Sequence, residues 1–190
     1  MITKISLKNL LIIGFFIELV IFIVSYVLSQ DWGETFRLSA RYSGRLSLVI
    51  YLICFYHFTF SYIKKKTEKK LKNSIIIFCF LHYIHFIFLA LAVYLNDLPI
   101  IPIRLTGGFI AYLMILIYPF IISKIKKIIY HLVFFYYVGI VMAITILGRI
   151  RGTFEGAEPE FFHYLGLGSV ILGFIYFTSV IIRSKKPIIK

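Results

Sequence analysis

Phe78-Cys79-Phe80-Leu81-His82-Tyr83-Ile84-His85 sets two imidazoles one helical turn apart inside a segment apolar enough to cross a membrane. Residues three apart share a helix face. An imidazole deep in hydrocarbon costs free energy unless it is hydrogen-bonded, packed against other helices or bound to a metal. Such a pair therefore marks a candidate functional site.

The rest of the chain fits that environment. Of 190 residues, 61% are apolar, 18% aromatic and only 15% charged, whereas a soluble domain is about half apolar and a quarter charged. A spanning helix needs roughly 20 mostly apolar residues, so the length accommodates about six spans with short loops and no second domain. Cys54 and Cys79 fall inside candidate spans at no metal or redox spacing and read as small apolar filler. The net charge of +13 does not point to nucleic acid. Its lysines and arginines gather beside hydrophobic runs, where they act as topology signals and as contacts to anionic lipid.

The spans are expected at about residues 9–29, 44–63, 73–95, 104–123, 127–147 and 162–182, giving an all-α integral membrane bundle of six helices in one domain. The first is too long for a signal peptide and lacks a small-x-small cleavage site, so it reads as a retained helix. Glu18 stands in its middle and must be protonated, paired or turned to the bundle interior. Asp31 to Ala40 reads as a short polar loop with Trp32 at interfacial height. The lysine-rich run from Lys64 to Lys72 is too charged to enter a bilayer. Asn96-Asp97-Leu98-Pro99 signals a turn, Pro102 opens the fourth span, and Pro119 lies near its far end. Arg149 to Glu160 forms the longest polar loop. In the last span, Ser169-x-x-x-Gly173 suits close helix contact. With both termini on one side, that side holds fifteen Lys and Arg residues against six, which predicts cytoplasmic termini.

Four of the five histidines, His57, His82, His85 and His131, fall in the cytoplasmic half or the middle of the membrane on three helices. From the rise of about 1.5 Å per residue and the flanking lysines, His131 should lie roughly 9 Å nearer the cytoplasm than His82 and about 13 Å nearer than His85. Neutral imidazoles on neighbouring helices are what haem ligation requires. Zinc is the competing metal, but the aromatic surroundings (Phe78, Phe80, Phe86, Phe134, Phe135) better suit a large flat cofactor. Taken singly, a buried histidine is an ordinary core residue. His163 reads as interfacial, and Arg41 and Arg45 as anchors or as partners of an acidic group or an electron acceptor.

Several pieces in order and spacing resemble one family, the ferric reductase-like transmembrane proteins, in particular short bacterial haem-binding members without a flavin domain. They are Arg41-x-x-Gly44-x-x-Ser47-Leu48, the basic stop before the third span, Phe78-x-x-x-His82-x-x-His85, and His131-x-x-x-x-Tyr136-Tyr137, together covering roughly residues 41 to 140. The resemblance implies axial ligands from the third and fifth helices, hence His85 or His82 opposite His131; His57 joins the candidate cofactor-binding residues by its depth. Spacing from the basic stop favours His85, and the depth estimate favours His82. Larger relatives carry a second histidine thirteen residues along each ligand helix. Ile144 stands there after His131, and no histidine follows His85 in its span, so one b-type haem is implied. The tryptophan and twin arginines that relatives often show before the ligand helices are lysines or apolar residues here.

The function so implied is electron transfer in the bacterial cytoplasmic membrane, as the membrane subunit of a reductase. No region offers a dinucleotide fingerprint, so a separate flavoprotein or quinone would be the donor. As an enzyme the chain would be an oxidoreductase component only. The competing expectation is a small non-redox transporter or assembly factor in which Glu18, His57, His82 and His85 line a polar path.

Overall fold

The computed structural model describes residues 6–64, 69–99, 101–153 and 158–184, the side chains of Ile103, Arg104 and Ser184 excepted. Lys4, Lys65, Lys66 and the tail beyond Ser184, which enter the expected topology, lie outside those residues. The described chain is all-helical: α1 (Leu7–Ser29), α2 (Trp32–Ile63), α3 (Lys69–Leu95), α4 (Pro102–Ile121), α5 (Ile128–Ile150) and α6 (Phe161–Ser184). Five of the six are long and apolar enough to cross a membrane, and the apolar part of α4, Leu105–Ile121, is shorter. Large apolar side chains point outward along them, among them Phe16 on α1, Phe120 on α4 and Ile144 on α5. A water-soluble surface does not carry apolar area on this scale. The outward face belongs in lipid.

The largest departure from expectation is α2, which begins at Trp32 and takes up almost all of the expected Asp31–Ala40 loop. Two local causes act together. The Asp31 side chain accepts the backbone N–H of Glu34 at 2.8 Å, an N-cap that satisfies a donor the helix cannot. Beyond it, the small polar residues Thr35, Ser39, Ser43 and Ser47 recur at a spacing of four on one face, and all are fully buried. Polarity alone suggested a loop there, yet in a membrane bundle small hydroxyl residues are contact residues that let helices approach closely. Removing the cap by Asp31→Ala is expected to cost about 1 kcal/mol of stability, read as a lowered thermal-unfolding midpoint in detergent.

Helix α2 is the hub of the bundle, touching α1, α3, α5 and α6, while α4 bridges α3 and α5. Among the described residues the backbones of α3 and α5 do not approach each other directly. The Asn96 turn is tied to the start of α2, because the Asn96 amide donates to the carbonyls of Gly33 at 3.0 Å and Ala92 at 2.7 Å. Lipid is as apolar as leucine, so helices associate through close packing rather than through exclusion of water. Glycines supply that packing in α6: a Cβ at Gly166 would lie 2.9 Å from Leu48, and one at Gly173 would lie 3.5 Å from Phe55. Ser169, by contrast, bonds back to its own helix at Leu165. The close contact expected of Ser169-x-x-x-Gly173 is thus made by Gly173 together with Gly166.

The core between these helices is aromatic. Tyr51, Phe55 and Phe58 of α2 meet Phe78 of α3, Phe134 and Phe135 of α5, and Phe177 of α6. The Tyr51 hydroxyl donates to the Phe135 carbonyl at 2.7 Å, so its one polar atom is satisfied within the apolar core.

Candidate functional site

Helix α3 brings His82 and His85 into ring contact, with centroids 5.3 Å apart. His82 is buried. It packs on Phe78 of its own helix at 5.2 Å and stacks on Tyr112 of α4 at 4.8 Å. His85 lies against Gly44 of α2, where a Cβ would stand 3.0 Å from its Cε1 atom. That glycine makes room for the imidazole. The Nδ1 atoms of both rings are buried and have no hydrogen-bond partner. Two adjacent imidazoles with unused ring nitrogens are unusual, because buried polar atoms are nearly always paired.

His131 is elsewhere. It is buried, with Nδ1 2.5 Å from the Tyr118 hydroxyl, Nε2 3.4 Å from the Ile125 carbonyl, and its ring against Phe58. Helix α4 serves as a ruler: His82 meets Tyr112 and His131 meets Tyr118, an offset of about 9 Å of helix rise, which matches the depth difference read from the sequence. On α2, His85 meets Gly44 while His131 meets Phe58, an offset of about 21 Å. The structure therefore gathers His82 and His85 but does not place His131 beside them. His57 stands apart too, half-buried, its Nδ1 3.2 Å from the Ser74 hydroxyl, which itself donates to Leu71.

A second polar group lies towards the opposite end from the lysines of Lys124 to Lys127. Arg41 and Arg45, one turn apart on α2, both reach Glu160 just before α6. Arg41 Nη1 is 3.0 Å from Oε1, and Arg45 Nη2 bonds Oε2. Of the partners expected for these arginines, the acidic one is thus present. Desolvation pushes the Glu160 carboxyl up, but the hydrogen bond and charge of Arg45, with the charge of Arg41, outweigh it and hold the group below its ordinary range. A depressed pKa means stability that is present above the ordinary carboxylate range and is lost as pH falls through the lower, folded value. Acidification to that point should loosen the α2–α6 junction, and Glu160→Gln should flatten this acid limb of the stability profile.

His163, expected as a surface or interfacial residue, stands at the head of α6 but not on the surface. It is buried, and its Nδ1 accepts the Glu160 backbone N–H at 3.0 Å, closing the first turn of α6. Arg149 of α5 interacts electrostatically with Arg41, Arg45 and Glu160, and with His85 below them.

Glu18 is fully buried and accepts the Ser43 hydroxyl through Oε1 at 2.8 Å, while its Oε2 has no partner. This is the inward-turned alternative set out for it above. Among the described residues no three His, Cys, Asp or Glu side chains group to hold a metal ion. That leaves the α3 imidazoles as a pair without a third protein ligand. Sequence reasoning did not single out Tyr112, Tyr118 or Arg149. Tyrosines are common in this chain, and Arg149 resembled any other interfacial cation.

No protein-family model, curated protein or solved structure matches the chain. The fold and the site define a class all the same: an all-helical, membrane-type bundle with an imidazole pair inside it and an arginine cluster over that pair.

Proposed function

We propose that this chain is the haem-binding membrane subunit of a ferric reductase-like electron-transfer system in a bacterial cytoplasmic membrane. Its termini would face the cytoplasm, and a separate flavoprotein or quinone would supply the electrons. The observation that carries the proposal is the His82–His85 pair with two unpartnered ring nitrogens. These donors fit a haem iron: they are imidazoles, sheltered, and relieved of crowding by Gly44. His131 does not fit as their axial partner, since it lies at another depth and both its nitrogens have partners. The iron ligand is accordingly assigned to α3, with His85 first and His82 as its neighbour, and not to a His85–His131 pair.

A bound b-type haem supplies one-electron chemistry. The protein's own part is to hold the imidazole, exclude water and connect the two ends of the bundle. Ring contacts run without interruption from His82 to Phe78 (5.2 Å), Tyr51 (5.9 Å), Phe135 (6.4 Å), Phe58 (4.5 Å) and His131 (5.8 Å). This chain of rings offers an electron a route between the α3 imidazoles and the lysine end, where a cytoplasmic donor would dock. The test is an optical spectrum of the detergent-purified chain, oxidised and dithionite-reduced, after expression with haem supplied. Sharp b-type bands that move on reduction support the assignment, and a colourless protein ends it.

One observation favours a second function. Glu18 Oε2, Ser39 Oγ and Ser47 Oγ are buried and unpartnered, and Glu18 itself reaches α2 through Ser43, as the start of a polar path in a transporter would. His57, with its own partner Ser74, is not gathered with them. Proton or sodium flux in reconstituted vesicles that Glu18→Gln abolishes would support the path, and a tight, flux-free vesicle would remove it.

A further inference from the structure

Among the described residues the arginine cluster carries more positive than negative charge. Arg41 and Arg45 share a single carboxylate, that of Glu160, and Arg149 stands within electrostatic reach of all three. Three guanidinium groups against one carboxylate leave two positive charges over. Arg149 makes no hydrogen bond or ion pair among the described residues. Arg45 Nε is also buried without a partner. Like charges held together at these partly exposed positions repel, and a buried unmade hydrogen bond on a charged group is costly. Among the described residues nothing neutralises this surplus, which is the setting in which an added anion would be stabilised.

The geometry is that of a built site. Arg41 and Arg45 rise from one face of α2, Arg149 comes from the end of α5, and Glu160 leads into α6, so three helices converge on it. The Arg45 guanidinium lies over the Phe162 ring at 4.7 Å and the Tyr42 ring at 5.2 Å, which fixes its plane. Fixed guanidinium forks suit a planar carboxylate or a tetrahedral phosphate. A surplus of two charges from separate helices favours the group that presents oxygens in several directions.

We infer that Arg41, Arg45 and Arg149 form a phosphate-binding site at this end of the bundle, and that Glu160 orients two of the arginines while limiting how tightly the anion is held. The site lies beside exposed Phe161 and Phe162 at the head of α6. Either a phospholipid headgroup or a soluble phosphate compound could supply the group. The inference does not depend on haem.

The test uses the delipidated full chain in detergent, with its thermal-unfolding midpoint followed during two titrations. One adds inorganic phosphate and the other phosphatidylglycerol, against a phosphorus-free glycolipid control. A saturable rise in either titration, absent with the glycolipid, supports the site. The arm that responds identifies the source. Arg149→Gln should weaken the response about tenfold or more, the loss of one charge-assisted contact. Arg149→Lys keeps the charge and loses the fork, so it should fall between, which guards against reading a misfolded variant as a lost site. Lys124→Gln, at the other end, should respond as the wild type does. Glu160→Gln gives the sharpest outcome: it should bind phosphate more tightly, whereas a purely structural ion pair predicts weaker or unchanged binding. No rise in either arm, or a full response in Arg149→Gln, overturns the proposal.

Discussion

His85→Ala is expected to remove the reduced-minus-oxidised haem bands from the purified protein, while His131→Ala leaves them in place and lowers thermal stability instead. The two histidines part because their surroundings differ. His85 has an unpartnered Nδ1 and a glycine cradle, and its one hydrogen bond, to the Ala40 backbone, is to a carbonyl that α2 already engages, so its loss falls mainly on the ligand. His131 is already engaged by Tyr118 and Ile125. Truncating it strands the buried Tyr118 hydroxyl at a cost of about 1–3 kcal/mol. Spectra and unfolding midpoints of both variants, with His82→Ala alongside, decide the matter. Should His82→Ala bleach the protein and His85→Ala not, the ligand is the other member of the pair. Should only His131→Ala bleach it, the iron belongs at the lysine end, and the assignment to α3 is wrong.

Much of the fold could be read from the chain because membrane helices announce themselves by length and apolarity. The first and third spans end where expected, at Ser29 and Leu95, since polar residues break the apolar run at once, Gln30-Asp31 after the first and Asn96-Asp97 after the third. The start of α2 could not be read in the same way. Residues 31–40 look like a loop to any measure of polarity, and only packing against α1 and α3 turns Thr35, Ser39 and Ser43 into contact residues. The site divides along the same line. His82 and His85 are local in sequence, so a helical period suffices to bring them together. Their relation to His131 depends on how α3 and α5 stand across α2 and α4, and flanking lysines report that depth only to within a turn or more. Arg149 and Glu160 were beyond reach for a further reason: three elements distant in sequence must meet before either means anything.

Replacing Gly139 is expected to be among the most damaging single changes in the protein, although it removes nothing. A Cβ there would stand 2.3 Å from the Tyr51 hydroxyl and 2.6 Å from the tip of Phe174. Elsewhere a flexible side-chain tip would swing aside. Tyr51 cannot do so cheaply, because it is fully buried, donates to the Phe135 carbonyl and is packed between Phe55 and Phe78. Phe174 is held in turn by Tyr136, stacked at 4.7 Å, and by Phe55. Overpacking of this kind costs about 1–3 kcal/mol, so Gly139→Ala should lower the unfolding midpoint clearly and Gly139→Val further. The cause can be separated from a general effect of glycine replacement by adding Tyr51→Phe. That change alone removes the second hydrogen bond on the Phe135 carbonyl, which the helix already engages, and destabilises, yet in the Gly139→Ala background it also removes the clashing atom. The double variant should therefore lose less than the sum of the single losses, by an interaction of about 0.5–3 kcal/mol. Strict additivity would mean that α5 shifts away from α2 to admit the methyl group. The ring chain through Tyr51 and Phe135 would then be looser than its contacts indicate, and it would lose its standing as a route between the two ends of the bundle.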